Sequence, residues 1–413
     1  MVTPQGNEFR KGWPVVLSAG IGLAVALTPL LFYSLGLFIK PLEEAFGWSR
    51  QEISTAFLVV TLGNSAGALL AGWLADRFGS RTIALCSMAC YPLCLVGLSR
   101  MEGDLQTFFI LCGTAAIVGI GTTAVVFTRA VTTWFERQRG LALGITLTGT
   151  GITATLVPLY VAFFLEHIGW KGAFLSLSIL PWVVGLPVIL WGFHERPADN
   201  GAVRSVRAGN LNGFSFKQAL GRPDLYIISV AAGCISFVVG SLIPHLPALL
   251  VDRGLSAAEA AKIAALVGVS VMSGRLIVGY LVDRFFAPMV AAVCLSLPAI
   301  SAVLLLAGDT SSSWLVALCI GFAAGAEFDL IAYLVSRYFG LKAYSGIYSI
   351  PFAVNMIMVG IGPVIMGRIH DMQGSYYHGL QICIVLGVIG ALLFLALRQY
   401  PDFDVMNKNQ VRA

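Results

Sequence analysis

Long apolar runs recur along the whole chain, and they constrain its fold more than any other feature of the sequence. Each run is close to or longer than the ~20 residues that an α-helix needs to cross a bilayer. The spacing inside the runs is helical, whereas a membrane barrel would show short segments of alternating polarity. The sequence therefore predicts an all-α membrane protein with 12 transmembrane helices. The predicted spans are 14–39, 53–75, 81–99, 106–131, 140–165, 172–193, 224–250, 259–282, 288–308, 313–337, 343–368 and 377–397.

Composition and charge distribution support this class and predict an orientation. Hydrophobic residues make up 57% of the chain and charged residues 11%, with a mean hydropathy of +0.84, which is more apolar than soluble folds require. Most of the 26 Lys and Arg residues fall on one side of the membrane when the N-terminus is placed in the cytoplasm. This asymmetry predicts a multi-pass protein of the cell inner (plasma) membrane with both termini cytoplasmic. It also explains the net charge of +5 without nucleic acid.

The motif content argues against an enzyme, a nucleotide-driven pump and a metalloprotein. The eight cysteines lie inside or at the ends of apolar runs, and no Met or His cluster accompanies Cys86, Cys90 and Cys94, which indicates packing. The sequence has no nucleotide-binding loop. It also shows no nucleophile–base cluster in the spans, so we expect no catalytic residue, cofactor, metal or nucleotide.

One long polar stretch, rich in Arg, Gly and Asn, falls near the midpoint of the chain at 194–222. It predicts a cytoplasmic linker whose last part forms a short amphipathic helix with Ser215 as the N-cap. The linker separates an N-terminal six-helix bundle at 1–193 from a C-terminal six-helix bundle at 223–398. A cytoplasmic tail is predicted at 399–413.

The two halves contain short matching segments at the same offset. GWSRQEIS at 47–54 matches GLSAAEAA at 254–261, and GWLADRFGS at 72–80 matches GYLVDRFFA at 279–287. Such repeats predict two pseudo-symmetric bundles, and halves of this kind in transporters rock about a binding site near the membrane midplane.

The segment G72-WLA-D76-R77-F-G79-S-R81 resembles the signature loop between the second and third spans of the major facilitator superfamily. The resemblance implies the major facilitator fold and a charge network that breaks as the halves rock. A basic loop that only sets topology is the alternative. The second copy, G279-YLV-D283-R284, lacks the trailing Gly-x-Arg. The predicted conformational gating residues are Gly72, Asp76, Arg77, Gly79, Arg81, Asp283 and Arg284.

Two stretches, at 134–144 and 33–50, resemble the monocarboxylate and oxalate/formate porter branch of that superfamily. In this branch an arginine of the eighth span binds the substrate anion, and Arg275 stands in the matching G-R-x-x-x-G context. Arg275 is the only charge from 263 to 282, and a planar guanidinium can bind a carboxylate bidentately. The alternative is an intramembrane ion pair with Glu327 or Asp329.

Three further residues are candidate substrate contacts. Arg129 is the only charge from 105 to 135, so it is either a second anion contact or an arginine that snorkels or pairs. Tyr33 either shapes the pocket or packs in the bundle. His245 lies between two prolines that disturb the helix, where it either serves a proton path or makes structural hydrogen bonds.

Glu327 and Asp329 are the only charged residues from 314 to 336, and intramembrane carboxylates are costly unless they serve a function or are paired. Being two apart, they point roughly 200° from each other on a helix. Periodicity places Asp329 on a polar face, whereas ungapped alignment from Arg275 brings a substrate-lining position of the branch closer to Glu327. Both remain candidates for proton coupling. The charges of two buried arginines and two buried carboxylates sum to zero. A bound substrate anion would add one negative charge, so we expect one proton to enter with it.

These features predict a secondary active transporter of small organic anions, namely a proton-coupled monocarboxylate symporter that works by alternating access. Its partners would be the anion, protons and the lipid bilayer. Animal-type carriers of the branch have a lysine where Tyr33 stands and an aspartate where Val271 stands, so their proton relay is not carried over. Around Pro351 the basic residue of oxalate exchangers is missing. The alternatives are an organic anion exchanger of the oxalate/formate type, proton-coupled drug efflux and a transport-derived anion sensor.

Overall fold

The computed structural model describes residues 8–135, 139–195, 213–340 and 342–401, and these residues are overwhelmingly α-helical. The β-type pairing within these ranges is an isolated antiparallel bridge between Gly213 and Gly340. The helices are α1 (Glu8–Ala24), α2 (Leu27–Phe46), α3 (Arg50–Phe78), α4 (Ser80–Ser99), α5 (Leu105–Val118), α6 (Ala124–Trp134), α7 (Arg139–Leu180), α8 (Leu186–Gly192), α9 (Phe216–Leu220), α10 (Pro223–Asp252), α11 (Ala257–Val282), α12 (Ala287–Leu295), α13 (Leu297–Ala307), α14 (Ser313–Phe339), α15 (Tyr344–Gln373) and α16 (Tyr377–Leu395).

Ten stretches of the described chain are long and apolar enough to cross a membrane. The longest, Leu141–Gly192, contains two of the predicted spans, because Gly169 with φ of 70° interrupts α7 between them. The predicted span at 53–75 lies in α3, which is not one of the ten. The predicted all-α class is confirmed, and the chain is a multi-pass membrane protein.

The sequence repeat reappears as repeated helix starts. Ser49 caps α3 by accepting a hydrogen bond from the Glu52 amide at 3.2 Å, and Glu52 accepts from the Ser49 amide at 2.9 Å. Ser256 and Glu259 form the same reciprocal pair at 3.3 and 2.9 Å. Each box satisfies amides that have no partner inside the helix. The residue two before each serine is a glycine with positive φ: Gly47 at 69° and Gly254 at 92°.

The described residues form two compact units. Unit 1 comprises those within Met1–Pro197, Ile243–Val269 and Pro363–Tyr376, and unit 2 those within Ala198–Leu242, Ser270–Gly362 and Tyr377–Ala413. In unit 1 the rings of Phe38 and Phe174 stack at 3.9 Å between α2 and α7. The division into 1–193 and 223–398 remains a prediction.

The described end of the predicted linker contains a short helix. In α9 the Ser215 hydroxyl accepts from the Gln218 amide at 3.4 Å, and Gln218 accepts from the Ser215 amide at 2.9 Å. Phe216 and Leu220 are exposed, as an amphipathic surface helix requires. Residues 196–212 and 402–413, which contain most of the predicted linker and tail, lie outside the described residues.

Candidate functional site

In unit 2, the part of α11 that follows Val269 approaches α14 closely through two glycines. A Cβ on Gly325 would lie 2.1 Å from the Val271 carbonyl oxygen, and one on Gly274 would lie 2.3 Å from the Phe322 carbonyl oxygen. Small residues allow this close backbone approach in membrane helices. The contact holds Arg275, which follows Gly274, near the segment of α14 that carries both carboxylates.

Arg275 has hydrogen-bonding capacity that the described residues leave unused. Its Nε and Nη1 atoms are buried and have no hydrogen-bond partner within the described chain. Asp329 interacts with it electrostatically, although the described ranges contain no ion pair that includes Arg275. Buried donors without an acceptor are costly, so this guanidinium is suited to an anion that comes from outside the chain.

The two carboxylates of α14 have different surroundings. Asp329 is exposed, whereas Glu327 is 1% exposed. This difference follows the polar and apolar faces seen in the sequence. Asp329 lies in the electrostatic neighbourhood of both Arg275 and Tyr348. It therefore occupies the accessible face of α14, and Glu327 occupies the packed face.

Glu327 joins three helices in a polar junction with Ser236 of α10 and Asn355 of α15. The Ser236 hydroxyl donates to Glu327 Oε1, and Asn355 Nδ2 donates to the same oxygen at 2.7 Å. Asn355 Nδ2 also donates to Ser236 Oγ at 2.5 Å. All three side chains are buried, and Glu327 forms no ion pair with a cation of the described chain. The acid is thus held by neutral donors alone.

This junction can accommodate Glu327 with or without a proton. Ser236 Oγ lies 2.7 Å from the Ala232 carbonyl oxygen as well as beside Glu327. A hydroxyl has one hydrogen to donate, so it serves one acceptor at a time. When Glu327 is ionised, Ser236 can donate to it. When Glu327 is protonated, its O–H can donate to Ser236 Oγ while the hydroxyl turns to Ala232.

Arg129 lies beside Glu195 in unit 1. Its Nε is 3.9 Å from Glu195 Oε1, and the same oxygen accepts from the Ser80 amide at 3.1 Å. Ser80 begins α4 directly after Gly79, whose φ is 84°. A carboxylate at a helix N-terminus is favourable because the dipole is positive there. Pairing was one of the two expectations for Arg129, and its contact with substrate remains a prediction.

The predicted gating residues of the first copy lie at the junction of α3 and α4. Arg81 Nη2 donates to the Leu190 carbonyl oxygen at 2.7 Å. Arg77 is exposed, and its guanidinium lies 5.5 Å from the ring centres of both Trp73 and Phe78. These contacts hold the loop against its own bundle.

In the second copy, Asp283 and Arg284 are exposed at the end of α11, and the Arg284 guanidinium lies 4.2 Å from the Tyr280 ring centre. Gly72 and Asp76 are part of α3, but the burial of Gly72 and the side chain of Asp76 fall outside what the structure describes. A gating role for this set remains a prediction.

An ion-pair cluster forms around Arg50 in unit 1 and is here called the Arg50 cluster. Its residues come from both the N-terminal and the C-terminal half of the sequence. Arg50 is 2% exposed, and Asp252 binds its Nη1 and Nη2 at 2.5 and 3.1 Å. Glu43 accepts from Nε at 3.2 Å, and the Tyr376 hydroxyl accepts from Nη1 at 2.7 Å. The Arg50 amide donates to Asp371 at 3.0 Å. Bidentate pairing makes this a strong contact.

His245 extends the Arg50 cluster. Its Nε2 lies 2.9 Å from the Pro363 carbonyl oxygen and 3.1 Å from Ser54 Oγ, and its Nδ1 lies 3.1 Å from the Tyr376 hydroxyl. A carbonyl only accepts, so Nε2 carries the hydrogen and Nδ1 accepts from Tyr376. Burial raises the pKa of Tyr376, which therefore keeps the proton that it donates. These contacts are structural hydrogen bonds, and a proton path through His245 remains a prediction.

Tyr33 lies in α2 next to Phe32, with ring centres 5.2 Å apart in an edge contact. Phe32 also meets Phe57 of α3 edge-on at 6.1 Å. These two phenylalanines line a small, partly open apolar pocket. Tyr33 therefore contacts a ring that lines this pocket, and its contact with substrate remains a prediction.

The sequence profile of the Major Facilitator Superfamily matches residues 21–363 of this chain. The chain belongs to the Major Facilitator Superfamily. The membership predicted from the signature loop is thereby confirmed.

Several transporters are similar to this chain over nearly its whole length. Human monocarboxylate transporter 11 is 26% identical over 96% of this chain and 85% of its own. The 3-(3-hydroxy-phenyl)propionate transporter of Escherichia coli (strain K12) is 27% identical, over 94% of this chain and 92% of its own. The gallate transporter of Pseudomonas putida is 25% identical, over 93% and 86%. The similarity to the monocarboxylate branch is confirmed.

Solved structures show the same fold. A bacterial homolog to the human lysosomal transporter Spinster, inward-facing and unoccupied, matches with a TM-score of 0.67, 16% identity and coverage of 97% of this chain and 100% of that one. Its occupied form matches with a TM-score of 0.69, 15% identity and coverage of 95% and 97%. This chain therefore has the major facilitator fold, and by its family it is a secondary transporter rather than an enzyme.

Several residues of these networks did not stand out in the sequence. Ser236 and Asn355 are polar residues of common types within apolar runs. Nothing in the sequence around them indicates that they bind Glu327. Arg50 and Asp252 lie at span ends, where charges are usual. Glu195 is the first acid after the sixth span, a position that could have identified it as a partner for Arg129.

Proposed function

We propose that this protein is a proton-coupled symporter of small organic monocarboxylates that works by alternating access. In this proposal it lies in the inner (plasma) membrane with both termini in the cytoplasm. The observation that carries the proposal is Arg275, a half-buried arginine with two buried nitrogens that no described residue accepts from. A carboxylate pairs with one edge of the guanidinium, Nε with Nη2 or Nη1 with Nη2, and so supplies an acceptor to a nitrogen that the described chain leaves without one.

The two acids take different roles in this mechanism. Asp329 is exposed and interacts with Arg275, so it balances the guanidinium charge when no substrate is bound. Glu327 is the proton carrier, because its junction with Ser236 and Asn355 can hold either protonation state. Entry of a monoanion beside Arg275 adds one negative charge, and one proton on Glu327 removes one.

The relatives agree with the chemical class. The three relatives are named as transporters of monocarboxylates, of 3-(3-hydroxy-phenyl)propionate and of gallate. All of these substrates are carboxylic acids. Substrate contacts by Arg129, Tyr33 and His245, and gating by the signature loop, belong to the same proposal.

The test is uptake of radiolabelled lactate, pyruvate, benzoate and oxalate into proteoliposomes, with and without an inward acid gradient. Arg275→Gln should abolish uptake, since the amide lacks the charge and the fork of donors. Arg100→Gln is the matched control, because Arg100 is exposed at the end of α4. Both proteins should elute as single peaks in size-exclusion chromatography.

Two results would contradict the proposal. Full uptake by Arg275→Gln would remove the anion site. Uptake that does not depend on the acid gradient and requires an anion inside the vesicle would identify an exchanger. In that case the protein would still transport anions, but without proton coupling.

A further inference from the structure

We infer that a ladder of four aromatic rings in unit 2 binds the ring of an aryl carboxylate whose carboxylate group is held by Arg275. The ladder consists of Phe328 on α14 and Tyr344, Tyr348 and Phe352 on α15. This inference rests on the proposed function and narrows its substrate class to acids with an aromatic ring.

The ladder is continuous. On α15 its members are four residues apart, so they lie on one helix face. The rings of Tyr344 and Tyr348 are stacked, with centres 5.7 Å apart and planes at 6°, and Phe352 follows at 5.8 Å from Tyr348. Phe328 meets Phe352 across the helix contact at 6.0 Å. These separations are typical of interacting aromatic pairs.

The ladder differs from the aromatic core of the same unit. Tyr338 and Phe339 are fully buried, whereas all four ladder rings retain accessible surface. The Tyr344 hydroxyl donates to the Ala332 carbonyl oxygen at 3.3 Å, which ties that end of the ladder to α14. No described residue hydrogen-bonds the Tyr348 hydroxyl.

The accessible rings and the unsatisfied guanidinium share one neighbour. Asp329 is exposed on α14, and it interacts electrostatically with Arg275 of α11 and with Tyr348 of α15. Arg275 and Tyr348 therefore both lie near the same carboxylate, and Phe328, the residue before Asp329, joins the ladder at 6.0 Å from Phe352. A ligand whose carboxylate displaces Asp329 from Arg275 can extend its ring toward the ladder.

An aryl carboxylate fits this arrangement in both of its parts. Its carboxylate supplies an acceptor to Nε or to Nη1 of Arg275, each of which lacks one among the described residues. Its ring can add to the ladder face to face or edge to face, in the geometries that aromatic quadrupoles favour. A short aliphatic acid can meet only the first of these requirements.

The experiment compares benzoate with cyclohexanecarboxylate, which has the same charge and nearly the same size but no π-system. Wild-type proteoliposomes should have a KM for benzoate that is roughly three- to tenfold lower, the span expected for one aromatic contact. Tyr348→Leu should abolish this ratio. Tyr348→Phe should keep it, because the ring is retained. If Tyr348→Leu does not purify as a single species, Phe352→Leu serves the same purpose.

The outcomes separate this inference from the proposed function. Equal KM values for the two acids in the wild type would overturn the ring subsite, and so would an equal rise of both KM values in Tyr348→Leu. Lactate uptake would still support the proposed function in either case. If the wild type takes up none of these carboxylates, the proposed function fails and the subsite fails with it.

Discussion

The Glu327 junction leads to the most demanding prediction, which concerns Glu327→Gln. Glutamine keeps a side-chain oxygen that accepts from Ser236 and Asn355, so the junction keeps its hydrogen bonds. It cannot take up or release a proton near neutral pH. The substitution therefore removes coupling while leaving packing nearly unchanged.

The expected accumulation of substrate follows from one proton carrier, Glu327, for each substrate molecule. One proton per substrate molecule transfers about 1.4 kcal/mol for each pH unit of gradient, which corresponds to about tenfold accumulation. The wild type should therefore concentrate its substrate roughly tenfold across an inward gradient of one unit. Glu327→Gln should equilibrate the substrate without concentrating it, and it should still exchange labelled for unlabelled substrate.

Two further variants isolate the cause. Asp329→Asn should change the KM through Arg275 but retain accumulation, because the junction is intact. Glu327→Leu removes the two hydrogen bonds to Glu327, while Ser236 can still donate to Ala232 and Asn355 to Ser236. The loss of roughly 0.6 kcal/mol per hydrogen bond in a membrane should lower the melting temperature. Wild-type accumulation by Glu327→Gln would refute the assignment of Glu327 as the proton carrier.

Three other contacts make simple predictions. Asp252→Asn should destabilise the protein by roughly 1–3 kcal/mol. This is less than the loss of the only partner of a buried charge, because Glu43 remains beside Arg50. An unchanged melting temperature would show that the Arg50 cluster does not stabilise the protein. Gly325→Ala should cost roughly 1–3 kcal/mol and weaken substrate binding by forcing α11 from α14, whereas Gly279→Ala, with open space around it, should do neither. Glu195→Gln should lower stability by roughly 0.3–1 kcal/mol through the α4 terminus, an effect that added salt should reduce.

Local features of the sequence predicted local structure well. Apolar runs predicted the long helices because hydrocarbon leaves backbone groups no partner outside the helix. The paired segments at 47–54 and 254–261 predicted a repeat, and they form matching capping boxes. The faces of α14 separated Glu327 from Asp329, since a helix fixes the directions of its own side chains.

Partnerships across the chain were beyond this kind of reasoning. Glu327 meets Ser236 from 91 positions away and Asn355 from 28, and Arg50 meets Asp252 from 202. Periodicity says which face of a helix is polar, but not which helix that face meets.

By itself, therefore, the sequence determined the membrane class, the helices, their caps and the exceptional charges, because each of these depends on neighbours within a few turns. Only the tertiary structure decided that Arg129 lies beside Glu195, that Glu327 is held by neutral donors and that Arg275 keeps two nitrogens unsatisfied. The reason is physical: the free energy of a charge in a membrane depends on the few atoms around it, and helix packing chooses those atoms.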